Sequence, residues 1–226
     1  MLPTLLRILL VAMSRRIVSL TLDVLEDLPR RCRGCVFWEL DPVAAEQACD
    51  GGDTGFEKEL WVSTALLEWG ACGRVAYEGD TPAGFVLYAP PAYVPRAAAF
   101  PSAPVSADAV LLTTAHVVPE YAGTGMGREL LQTAAKDLAR RGIKAIEVFG
   151  DQRGEEHACV APADFLRSVG FKTVRPDPHY PRLRLELRTA LSWRAEVDRA
   201  LDQLLATAGS VIGAQPRGSY EQVRRF

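Results

Sequence analysis

No apolar run in this 226-residue chain reaches the roughly 20 residues a helix needs to cross a bilayer. The nearest candidate, the opening MLPTLLRILLVAM, is too short and is broken by Arg7. It also lacks a basic leader and a clean small-residue cleavage site. Residues 1–15 are therefore expected to be an N-terminal extension, disordered or a start-site artefact, with Met13 a sensible natural start. No membrane partner is expected. An excess of charge of one sign is also missing. The net charge of -2 gives no global field to draw the chain to nucleic acid. Arg30–Arg33 and Arg182–Arg188 read as solvated faces or local anion contacts. Cysteine is sparse and odd in number, five in all, which does not suggest a secreted disulfide framework and suits a reducing cytoplasm. No second C-x-x-C accompanies Cys32 and Cys35, and no His-x₃-His is present, so no metal is assigned. Burial of a helical face, a redox pair, and a zinc site completed by His157 and Cys159 are the competing readings of that pair. There is no internal repeat.

What is present centres on residues 109–150, AVLLTTAHVVPEYAGTGMGRELLQTAAKDLARRGIKAIEVFG. Ala109–Val118 is rich in Val, Leu and Thr and reads as a buried strand, stopped by Pro119. Gly123, Gly125 and Gly127 alternate, so the loop can turn tightly and expose consecutive backbone N–H groups. From Met126 the spacing turns helical, with Leu130, Leu131, Ala134, Ala135 and Leu138 on one face and a stop at Gly142. Lys144–Phe149 is a further strand. A glycine loop feeding a helix N-terminus is a phosphate cradle, because the orphan N–H groups and the helix dipole both favour an anion. The dinucleotide fingerprint G-x-G-x-x-G fails at Arg128, and the P-loop ending G-K-[ST] is absent.

The stretch VVPEYAGTGMGRELL, residues 117–131, resembles the acetyl-CoA motif of the GNAT family of N-acetyltransferases, V-x-P-x-x-[RQ]-x-x-G-x-G/A before an amphipathic helix. A second segment, PADFLRSVGF at 162–171, resembles that family's A-x-x-[FL]-Y-x-x-x-G-F. The resemblance covers roughly residues 16–187. It departs at Ala122, where the family usually has Arg, at Leu166, where it often has Tyr, and at Cys159, where it often has Asn.

The resemblance implies an α/β (mixed α+β) GNAT fold: a central, mostly antiparallel twisted sheet of six to seven strands flanked by helices. The domain spans 16–188, followed by an added C-terminal helix (Ala190–Ala206) and tail in 189–226. That helix is suited to packing on the core or to a homodimer contact. Along the domain, Ile17–Leu22 reads as a strand and Asp23 as a cap for a helix running towards Pro29. Glu57–Trp69 reads as a helix, and Arg74–Glu78 with Ala83–Tyr88 as a hairpin. Pro90–Asp108, with its five prolines, reads as a long loop.

It also implies an acetyl-CoA-dependent N-acetyltransferase, with an amine-bearing small molecule or protein as acceptor. Val117, Val118, Ala122, Gly123, Thr124, Gly125, Met126, Gly127 and Arg128 would hold the cosubstrate. The N–H of Val117 or Val118 would polarise the acetyl carbonyl, with Arg128 compensating for Ala122. Tyr180, Cys159 or His157 would donate a proton, and His116 or Glu147 would accept one. Trp38, Glu39 and Tyr93 would contact the acceptor, with Asp41 and Phe100 beside them. Ala122 and Leu166 motivate the alternative, a domain of this kind that binds acyl-CoA as a sensor or interaction module without turnover.

Overall fold

The computed structural model describes residues 15–154 and 159–187. Residues 1–14 of the expected extension, His157, and the helix and tail expected in 189–226 lie outside the described residues, while Arg15, counted in the extension, opens the first strand. One sheet runs in the order β1-β2-β3-β4-β5-β7-β6. Its strands are β1 Arg15–Ser19, β2 Gly73–Glu78, β3 Thr81–Ala89, β4 Ala109–Val117, β5 Ala145–Phe149, β6 Lys172–Arg175 and β7 Arg182–Glu186. Every neighbouring pair is antiparallel except β4 and β5, which run parallel. This is the mixed α/β, mostly antiparallel architecture that the sequence implied.

Both faces of the sheet are covered, which is why β3 reads as an unbroken apolar run rather than an alternation. Phe85 and Leu87 point to one core, where they meet Leu25 of α1 (Leu22–Leu25) and Trp61 of α4 (Thr54–Glu68). Between these helices run α2 (Arg30–Arg33) and α3 (Pro42–Gly51). Val86 and Tyr88 point the other way. There they meet Leu130 and Leu138 of α5 (Met126–Arg140) and Leu166 of α6 (Ala163–Ser168). Each fully buried leucine of that face contributes about 1.5–3 kcal/mol of transfer free energy. Gly84 lets α5 approach, since a Cβ there would lie 2.8 Å from the His116 carbonyl oxygen and 3.3 Å from Met126 Sδ. Gly142 ends α5 as expected, with φ 80 and its N–H on the Ala139 carbonyl.

Three local expectations need correction. The helix expected from Asp23 is a single turn capped by Thr21, whose hydroxyl accepts the Val24 N–H. α3 was not anticipated, and Asp41 is its N-cap: Oδ1 accepts the N–H groups of Val43 at 2.9 Å and Ala44 at 3.1 Å. Cys32 and Cys35 do not share a helix face, because α2 ends at Arg33 and Cys35 lies beyond Gly34. In α4 the buried stripe is Lys58, Trp61, Val62 and Ala65, while Phe56, Leu60 and Leu67 are exposed.

Candidate active site

The site begins with an irregularity in β4. Leu87 faces Thr114 while Tyr88 faces Leu112, so Thr113 is an extra residue bulged out of the ladder. Its hydroxyl donates to the Leu87 carbonyl at 3.1 Å. On the other edge, β4 pairs with β5 only over Ala109–Leu111 against Ala145–Glu147. Past the bulge the two parallel strands share no ladder, and β4 presents main-chain groups to a gap. Val118 donates its N–H to the Ala83 carbonyl at 2.9 Å. Successive N–H groups of a strand point to opposite sides, so the Val117 N–H faces the gap. Of the two valines expected to supply that donor, Val118 has already spent it.

Below the gap the chain makes a 3₁₀ turn at Pro119–Tyr121 and enters the glycine loop. Gly123 and Gly125 hold φ of 75 and 83, and a Cβ at either would meet nothing within 4 Å. The loop is therefore open on that side. Thr124 ties it down, its hydroxyl donating to the Tyr121 carbonyl at 2.7 Å. α5 starts at Met126 with no side-chain cap, so the first-turn N–H groups are left to an anion or to water. Gly127 is needed for packing, since its Cβ would sit 3.0 Å from the Phe165 ring. The Arg128 guanidinium donates to the Ser168 carbonyl at 3.1 Å. A different cation braces the loop: Arg15, on β1, binds Glu78 at 3.0 Å, Glu129 at 2.9 Å and Thr124 Oγ1 at 3.3 Å. Nothing in the spacing around Ala122 pointed to that arginine, more than a hundred residues upstream.

On the opposite face of β3 and β4 lies a cleft of about 430 Å³, counted to its open mouth. Its walls include Phe85, Leu87 and Thr114 from the sheet, Trp38 and Glu39, and the thiols of Cys32, Cys35 and Cys159. Glu39 and Lys58 form an ion pair in which both side chains are almost wholly buried. The pair carries no net charge, so Arg31, which also lines the cleft, brings positive charge to it. Trp38 is buried; its indole N–H donates to the Cys159 carbonyl at 2.7 Å and its ring stacks on Phe100 at 5.0 Å. Sequence reasoning missed Lys58 and Arg31. Lys58 had a signal: it occupies the first place of an i, i+3, i+4, i+7 stripe that is otherwise apolar.

His116 lies beside this cleft, its ring 5.5 Å from that of Phe85. Burial, then the charge of Arg31, hold the imidazole below its ordinary pKa of 6.5, so it is neutral at pH 7. Glu147 is placed otherwise. It is fully buried and accepts from Arg182 at 2.7 Å, Arg184 at 3.0 Å and the Ser106 N–H at 3.0 Å. Burial pushes its carboxyl up, the Ser106 and arginine contacts push it down, and the net direction is below 4.5. With those partners it joins β5, β7 and the Pro90–Asp108 loop, and it is not a cleft-lining group. Tyr180 does not line the cleft either: its hydroxyl accepts from Arg153, and its ring packs edge-on to Phe100 at 5.2 Å. Tyr93 lies at the surface, donating from its hydroxyl to Glu68 at 3.0 Å. The structure thus gathers Trp38, Glu39 and Cys159 around the cleft with His116 next to them, and leaves Tyr93, Tyr180 and Glu147 outside it. His157 is not among the described residues, and no cluster of three or more metal-ligating side chains occurs among those that are.

The model of the Acetyltransferase (GNAT) family matches residues 24–171. This chain belongs to the GNAT family. Among solved structures, the PaiA N-acetyltransferase from Thermoplasma acidophilum, in complex with coenzyme A, is 17% identical, with a TM-score of 0.52 over 77% of this chain and 99% of that one. An N-acetyltransferase from Staphylococcus aureus Mu50 is 14% identical, with a TM-score of 0.51 over 77% and 99%. At these identities the likeness concerns the fold. No curated protein matches the sequence. The cosubstrate of GNAT enzymes is acetyl-CoA, and the open loop with its uncapped helix start suits the phosphates of that molecule. Of the GNAT motif positions that differ here, Leu166 is fully buried among the α5-face residues, where it serves packing.

Proposed function

We propose that this GNAT domain transfers an acetyl group from acetyl-CoA to an amine held in the cleft. The observation that carries the reading is a convergence on β4: one strand supplies the bulge, the main-chain gap, the glycine loop beyond it and one wall of the cleft. In this reading, Gly123–Arg128 and the first turn of α5 bind phosphates, and Arg15 holds the loop in shape. The Val117 N–H is the main-chain donor for a carbonyl oxygen in the gap. Such a donor acts most strongly where water is excluded.

Acetyl-CoA supplies a thioester whose leaving thiolate has a conjugate-acid pKa near 8.5. A leaving group that weakly basic needs no dedicated proton donor, which accommodates Leu166 and the placement of Tyr180. The amine must be neutral to attack. His116, neutral at pH 7 and beside the cleft, is the residue to take the proton, directly or through water. The buried Glu39–Lys58 pair shapes the wall, with Trp38, Phe85 and Leu87 offering apolar surface to the body of the acceptor.

The test is thiol release from acetyl-CoA by the full chain across a panel of primary amines. Turnover above the spontaneous rate is expected for some of them. His116→Ala should lower kcat by about 100-fold while the Kd for acetyl-CoA stays unchanged. Tight acetyl-CoA binding with no turnover on any amine would overturn the reading and leave a domain that binds without reacting.

A further inference from the structure

Three of the five cysteines line one cleft, and two of them touch. Cys35 follows α2, Cys159 comes from the connection between β5 and α6, and their sulfurs are 3.3 Å apart across 124 residues of sequence. Both are free thiols and only partly buried. The pair bridges two walls of the cleft already joined by the Trp38 indole on the Cys159 carbonyl. We propose that Cys35 and Cys159 form a reversible intramolecular disulfide, making this cleft wall a thiol-oxidation site that controls access of the acceptor.

The local chemistry divides the roles. Either sulfur can donate in this contact; when Cys159 gives the S–H, the Cys35 thiol is lowered, opposed by burial and helped by the Phe37 N–H. Cys159 is pushed up because it keeps the shared proton, with burial adding to the effect. In that proton arrangement Cys35 is the nucleophile. With a peroxide as oxidant, the Cys35 thiolate attacks one oxygen, the O–O bond breaks and hydroxide leaves, giving a sulfenic acid. The Cys159 sulfur then attacks the Cys35 sulfur, the S–O bond breaks, and the proton of Cys159 departs with the hydroxyl as water. Two thiols lose two electrons and the peroxide gains them. A small-molecule disulfide reaches the same product by two exchanges, releasing two thiols. Pulling the sulfurs into a bond draws the two walls together beside Cys32, Trp38 and Glu39.

The bond does not depend on acetyl transfer, whereas its effect on the acceptor rests on the reading given under Proposed function. The test uses the reduced full-length chain, treated with hydrogen peroxide or oxidised glutathione and mapped by non-reducing peptide mass spectrometry. One linked peptide, Cys35 to Cys159, is expected, formed equally in Cys49→Ser, absent in Cys35→Ser and Cys159→Ser, and reversed by dithiothreitol. Amine turnover should fall about 10-fold or more with the linkage, acetyl-CoA affinity staying within about 2-fold, and Cys159→Ser should resist that fall. A Cys32–Cys35 linkage, or overoxidation without any linkage, would overturn the site. Linkage that leaves turnover unchanged would overturn the control. A reduced chain with no turnover would defeat the transferase reading, while the peptide map would still decide whether the site exists.

Discussion

The hydroxyl of Thr113 donates to the Leu87 carbonyl at 3.1 Å, at the bulge where β4 parts from β5. That bond satisfies a buried carbonyl that the broken ladder would otherwise leave alone. Thr113→Val keeps the shape and removes the donor. It should lower stability by about 1–2 kcal/mol, read as a lower urea midpoint with an unchanged slope, and weaken acetyl-CoA binding. Thr113→Ser should recover most of both.

A second expectation concerns α5 and α6. The Cβ of an alanine at Gly127 would meet the Phe165 ring at 3.0 Å. Gly127→Ala should cost about 1–3 kcal/mol through overpacking. Phe165→Leu in the same chain should return part of that loss. A thermal-melt double-mutant cycle should give a coupling that strictly additive effects would contradict.

Glu147 supports the fold, and its titration reports that. Its pKa lies below 4.5 in the folded chain because Ser106, Arg184 and Arg182 outweigh burial. A depressed carboxyl contributes stability that is present above its unfolded pKa and lost as pH falls through the folded value. The native chain should therefore lose stability below about pH 4.5, and Glu147→Gln should flatten that part of the profile. At pH 7 the variant should be about 3 kcal/mol less stable, because Arg182 and Arg184 lose their common partner. A cost near zero, or an unchanged acid limb, would contradict this role.

Much of this was legible in the sequence because it is local. The strand, the glycine loop and the helix of residues 109–142 are written in periodicity and turn chemistry, and the GNAT motif adds the fold. The cleft was less legible because its parts are brought together by topology. The partnership of Arg15 with Thr124 and that of Cys35 with Cys159 span more than a hundred residues each, and no spacing rule encodes them. Lys58 was overlooked because a lysine on a helix is ordinarily solvated; only its place in an apolar stripe marks it as buried. Glu147 attracted attention as a carboxylate in an apolar strand, and its partners on β7 show why it is tolerated there.

His116 and Arg31 give a pH test of the base. Burial and the Arg31 charge hold the imidazole below 6.5. The acid limb of kcat/KM should therefore fall below pH 6.5, and Arg31→Ala should move it upward, because removing a neighbouring positive charge makes protonation easier. Imidazole proton shifts followed by NMR across the same range should track the kinetic limb. A limb that ignores Arg31→Ala would remove His116 from the role.

The most direct measurement is calorimetric titration of the full chain with acetyl-CoA, beside Gly125→Glu, which places a carboxylate at the uncapped start of α5. The expected result is a single site with Kd on the order of micromolar in the native chain, weakened about 10-fold or more by the carboxylate while circular dichroism shows the variant still folded. No binding by the folded native chain, or equal affinity in the two proteins, would contradict the glycine loop as the cradle for acetyl-CoA.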